Sequence, residues 1–174
     1  MKQRFVAASA LLAMGLLGIA LVAFGQGKHR NFSASLSGYE EVPAVSSTGY
    51  GRFQARVDPG ETSLTYELTY SGLEGTTTTA AHIHFGQAGA SGGVSVWLCG
   101  GGGKPACSAG SGTISGVATA ADVVGPSGQG IAAGEFAEFL EAMRRGMTYV
   151  NVHTDKHPAG EIRGQIGHGL GDRQ

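Results

Sequence analysis

The residues most able to do chemistry are His82 and His84 in AAHIHF, with a third histidine, His153, closing the stretch TYVNVH. Successive side chains on a strand point to opposite faces. Over 80–85 this puts Ala81, Ile83 and Phe85 on one face and both imidazoles on the other. Over 148–153 it turns Val150 and Val152 toward a core and leaves Tyr149, Asn151 and His153 on the outer face. If the two strands lie close together, three imidazoles converge. Imidazole suits copper and zinc, and three such ligands leave a position open for water or substrate. His157, four residues past His153 in a Pro-containing turn, offers a fourth ring. Asp155 is placed to accept a hydrogen bond from an imidazole N–H and so orient the ring. The bland alternative is that these rings only hydrogen-bond to loops. The His-x-His spacing, with a third histidine on a matching strand, weighs against it.

Other chemistries fit less well. No GxSxG elbow occurs. The glycine run 100–103 does not sit between a strand and a helix, so a phosphate loop is disfavoured. Glu40 and Glu41 are adjacent and diverge on an extended chain, which is unsuited to a glycosidase pair. Charged residues make up 14% of the chain, with a net charge of −1 and no basic stripe, which argues against nucleic acid.

Cys99 and Cys107 flank the loop CGGGGKPAC. The loop is short and glycine-rich, so it can close into a disulfide in an oxidising compartment. Thiolate metal ligands are the alternative, without the usual CxxC spacing. The N-terminus points to such a compartment. Lys2 and Arg4 precede an uncharged apolar stretch over 5–24, and Ala23 and Gly25 have the spacing a signal peptidase accepts. Residues 1–25 therefore read as a signal peptide cleaved before Gln26, giving a secreted or periplasmic protein. The rival reading is an uncleaved membrane anchor, since the stretch just reaches the length of a span. Without Lys2 and Arg4 the chain is mildly acidic, which argues against binding to anionic membranes.

The rest must position the histidines. Gly is abundant, at 31 residues, and has no collagen period. Alternation predicts strands over 51–57 and 63–70, joined by an Asp58-Pro59-Gly60 turn. Further strands are expected over 32–36, 80–85, 94–98, 113–117, 148–153 and 161–166. One helix is expected over 134–145, where Phe136, Phe139, Leu140 and Met143 recur at helical spacing and Gly146 follows as a cap. Glu161 and Arg163 share a face of the last strand, either pairing or bracing a loop. Gly160, Gly164 and Gly167 suit turns and close strand contacts. His29 and His168 lie outside the strands as bystanders, and 168–174 reads as a flexible tail. Short strands with glycine-rich turns indicate an all-β sandwich or barrel with one short helix.

Four stretches resemble the CHRD family: FSASLSGYEEVPAV, AHIHFGQAGASGGV, EAMRRG and TYVNVHTDKHPAGEIRGQIG, together spanning 31–167. The resemblance implies a Greek-key β-sandwich similar to the copper–zinc superoxide dismutase fold. CHRD domains also occur inside larger extracellular proteins, which implies a non-enzymatic structural or protein-binding module as the alternative. In the dismutases a His-x-His strand and a later strand ending in His supply copper ligands. His82, His84 and His153 match that pattern, and Arg163 matches an arginine that steers anions. Copper is thus implied ahead of zinc. The stretch 86–112 holds no His, Asp or Glu, so the zinc loop and the bridging histidine are missing. Any site is mononuclear, and dismutase activity does not follow from the likeness.

Overall fold

In the computed structural model, which describes residues 29–169, the Asp58 carboxylate accepts backbone N–H bonds from Gly60, Thr62 and Ser63 at 3.0, 2.7 and 2.6 Å. That turn folds β2 (Tyr50–Val57) back onto β3 (Ser63–Ser71) in register from Tyr50–Ser71 to Val57–Leu64. The other strands are β1 (Asn31–Ser37), β4 (Thr78–Phe85), β5 (Gly93–Cys99), β6 (Gly112–Thr119), β7 (Thr148–Thr154), β8 (Ile162–Gln165) and β9 (Gly167–His168). One helix, α1, spans Phe136–Arg144.

All paired strands are antiparallel, in the order β5-β4-β7-β8-β1-β2-β3-β6, with β9 also beside β1. A Val96–Val123 bridge brings the ends of the sheet together, so the barrel is nearly closed. Around it β3 returns to lie beside β6, which follows β4 and β5 in the chain; this is a Greek-key order.

The core follows the alternation. Phe32, Phe53, Leu64, Leu68, Ile83, Leu98, Val150, Val152 and Ile162 point inward and are fully buried. Burying each such side chain is worth about 1.5–3 kcal/mol. The helix lays Phe136, Phe139, Leu140 and Met143 on this core, as the spacing predicts. Gly146 ends it at φ +67°, and Gly146 N–H donates to the Met143 carbonyl at 3.0 Å. Arg144 in its last turn pairs with Glu61 at 2.9 Å, which ties the helix end to the β2–β3 turn.

Two expectations about the termini need correction. His168 and Gly169 are not part of a flexible tail: His168 pairs with Phe32 in β9, and Gly169 N–H donates to the Asn31 carbonyl at 2.8 Å. His168 does not lie outside the strands, since it belongs to β9, and its ring stacks on that of His29 with centroids 3.9 Å apart. Residues 1–25, read as a signal peptide or anchor, lie outside the described residues. Among those described, no helix is long and apolar enough to cross a membrane.

Candidate metal centre

Antiparallel pairing fixes where the polar side chains fall. Across the strands, Trp97 on β5 faces His82 on β4, His82 faces Asn151 on β7, and Asn151 faces Arg163 on β8. One step along, His84 faces Tyr149, which faces Gln165. His153 lies opposite Ala80, diagonal to His82. The three rings therefore meet: His82 lies 4.4 Å from His84 and 4.5 Å from His153 between ring centroids. Each ring brings one nitrogen within 4.8 Å of the other two.

This face is not solvent-facing as the alternation alone suggests. His82 is 5% and His84 9% exposed, Asn151 and Tyr149 are buried, and His153 is half-buried. Strand periodicity separates two faces but says nothing about what covers the second. One covering loop, between β4 and β5, is tied down by site residues. Gly92 N–H donates to the Tyr149 hydroxyl at 3.1 Å, and Arg163 donates to the carbonyls of Gln87 and Ala90 at 3.1 and 2.9 Å.

Hydrogen bonding selects the ring tautomers. His84 Nδ1 is 2.8 Å from the Gly92 carbonyl oxygen, and His153 Nδ1 is 2.9 Å from that of Pro158. A carbonyl only accepts, so each Nδ1 carries the proton and each Nε2 keeps its lone pair. Those two Nε2 atoms and His82 Nδ1 are buried and have no hydrogen-bond partner. The arrangement matches the outer partners of metal-bound histidines, where the second ring nitrogen donates to a carbonyl.

Electrostatics keeps the rings neutral. Burial, then the neighbouring His84 and His153, pulls His82 down to about 3. Burial brings His84 to about 4, with His153 and Arg163 adding to the effect and the Gly92 carbonyl opposing it. Burial also lowers His153, against the Pro158 carbonyl. Neutral imidazole is the form that binds metal.

The remaining candidates separate. His157 lies outside the converging group, although its buried Nε2 is also unpaired. Asp155 does not orient an imidazole: its carboxylate accepts from the Thr76 hydroxyl and the Thr77 N–H, while a backbone carbonyl takes the role expected of it at His153. Arg163 is 2% exposed and lies over the Tyr149 ring, 3.5 Å from its centroid. It braces the turn after β4 and does not line an open mouth. Glu161 does not pair with Arg163. It is fully buried and accepts from Ser47, Thr154 and the Glu74 N–H at 2.7, 2.6 and 2.6 Å. Gly164 permits a close strand approach, since a Cβ there would lie 2.3 Å from the Ser35 carbonyl oxygen, whereas Gly167 has open space.

Two neighbours went unread in the sequence. Glu41 follows a 3-10 turn, not a strand, and is buried where Asn151 Nδ2 donates to it. Burial pushes its carboxyl up to about 7, against the pull of Arg163, the Val42 N–H and Asn151. The sequence signal, EEVP, identified only adjacent carboxylates. Trp97 stands edge-on to His82, with centroids 4.8 Å apart. Gly101 and Gly102 pack on its indole, where a Cβ would approach within 2.4 Å. The loop carrying them is closed by the Cys99–Cys107 disulfide.

The molecule is thus an antiparallel Greek-key barrel with a buried three-histidine cluster on the covered outer side of one wall. Residues 32–166 match the CHRD domain family, and the chain belongs to that family. No curated protein matches the chain.

Proposed function

We propose that this CHRD protein is exported and binds a single metal ion through His82, His84 and His153, with copper preferred to zinc. One observation carries the reading: three rings each bring a nitrogen within 4.8 Å of the other two, each ring has a buried nitrogen without a hydrogen-bond partner, and in two of them Nδ1 is held by a carbonyl so that Nε2 keeps its lone pair. Unpaired buried polar atoms are costly, and a cation relieves all three at once. Export is supported by the Cys99–Cys107 disulfide together with the apolar N-terminal stretch. Binding is favoured over turnover. His82 and His84 are covered, and Arg163 spends its donors on loop carbonyls, so steering of small anions such as superoxide has little support.

Metal analysis of protein secreted through the periplasm tests this. Stoichiometric copper is expected, lost in the combined His82→Ala, His84→Ala variant. Folded wild-type protein that takes up no metal after copper loading overturns the reading. A second reading, a structural or protein-binding module without metal, is favoured by the loop ties of His84 and His153. It expects those histidines to set stability alone.

A further inference from the structure

Three features of the cluster bear on the charge of its occupant. The convergent group holds three imidazoles and no carboxylate or thiolate. Its rings are largely shut off from solvent. A positive charge acts on one of its rings: Arg163 lies over Tyr149, which stacks on His84 with centroids 4.6 Å apart. Nearby Glu41 is engaged by Asn151.

Resting on the metal-binding reading above, we infer that the site selects monovalent copper, Cu(I), over zinc(II) and copper(II). The cost of burying an ion grows with the square of its charge, and neutral ligands do nothing to cancel that charge. Arg163 adds repulsion, twice as large for a divalent ion. Coordination number works the same way. Zinc held by three histidines completes its tetrahedron with a water, which this covered cluster would have to admit, and copper(II) prefers a tetragonal set of nitrogen and oxygen. Copper(I), with a filled d shell, is satisfied by three donors in a plane. Among the described residues, no fourth His, Cys, Asp or Glu joins the group. The edge of Trp97 and the face of Tyr149 border two of the rings with aromatic surface.

The test is an anaerobic titration of the metal-free, disulfide-intact wild-type protein. Copper(I) is added against a copper(I)-specific chelator, and zinc(II) and copper(II) are added against chelators of known affinity for each. The chain has one tryptophan, Trp97, so its emission reports occupancy beside His82. The expected result is one equivalent of copper(I), bound more tightly than either divalent ion by about tenfold or more, with a change in Trp97 emission. Zinc(II) or copper(II) bound as tightly as copper(I) overturns the inference and leaves the metal-binding reading standing. Failure to bind any of the three overturns both.

Discussion

The His84 imidazole stacks on the Tyr149 phenol ring, with an interplanar angle of 3° and centroids 4.6 Å apart. Tyr149 thereby fixes the plane of one candidate ligand, and its hydroxyl accepts from Gly92 N–H, beside the carbonyl that holds His84 Nδ1. Ring and hydroxyl do separable work. Tyr149→Phe keeps the stack and loses one hydrogen bond, at a cost of about 1 kcal/mol. Tyr149→Ala leaves a cavity and should cost about 3 kcal/mol or more. Urea unfolding of both variants checks this; equal losses would show that the stack contributes nothing.

The metal-free protein should lose stability as pH falls, in a pattern set by opposing groups. His82, His84 and His153 have folded pKa values below 6.5, so the unfolded chain binds more protons than the native one. Their contribution is complete above about 6.5 and is lost as pH drops through the folded values near 4 and 3. Glu41 works the other way. Its folded pKa, near 7, exceeds the unfolded 4.5, so its contribution is complete below 4.5 and lost as pH rises through 7. Between 6.5 and 4.5 Glu41 offsets only one of the three histidines, so stability already falls as pH drops through this range and continues to fall below it. Buried Glu161 adds to that acid loss. Burial opposes its ionisation, but bonds from Thr154, the Glu74 N–H and Ser47 win and hold it below the usual range. Glu41→Gln removes the opposing group and should steepen the loss of stability between pH 6.5 and 4.5 relative to wild type. Chemical denaturation across pH measures this, and identical profiles would refute the assignment.

Gly160 should be intolerant of a side chain. Its φ is +130°, and a Cβ would sit 2.4 Å from both Asn151 Nδ2 and Glu41 Oε1. Gly160→Ala must move the buried Asn151–Glu41 pair and should cost about 2 kcal/mol or more. Gly103→Ala is the control. It also has a positive φ, at +76°, but open space around it, so only the backbone term of about 1 kcal/mol applies. Thermal unfolding ranks the two; a reversed order would show that the pair is not fixed.

Replacing Cys99 and Cys107 together with serine should cost about 2–3 kcal/mol on the chain-entropy account of a short loop. The loop also bears Gly101 and Gly102 against Trp97, so the emission of the variant should shift toward that of a solvated indole. Unfolding midpoint and native-state fluorescence are the two readouts. An unchanged emission spectrum would mean that the glycines hold Trp97 without the cross-link.

The strands were legible because alternation and turn chemistry are local. Leu64, Tyr66, Leu68 and Tyr70 in β3, and the Asp58 turn before it, follow directly from residue order. The outward facing of each histidine was legible for the same reason, from His-x-His and the alternation of 148–153, but their convergence rested on β4 lying beside β7, a non-local pairing that alternation does not give. What covers that face was not legible. The burial of His82, Asn151 and Arg163 depends on loops folding back over the sheet, and loop paths carry no period. Glu41 shows the limit most clearly: only its approach to Asn151, across the whole domain, makes a surface-looking carboxyl a buried one. Asp155 errs for a related reason, since the nearest acceptor in sequence lost to a backbone carbonyl closer in space.

The pairing of β4 with β7 also governs timing. His82 and His84 emerge together, but His153 arrives only after β5, β6 and α1 have passed. A chain folded halfway holds two imidazoles of the three, so the cluster is completed only by a late, long-range pairing. Contacts so distant in sequence form slowly. An ion bound here would therefore come after folding, not guide it. A chain crossing a membrane unfolded would carry no cargo, and would load it only where folding ends.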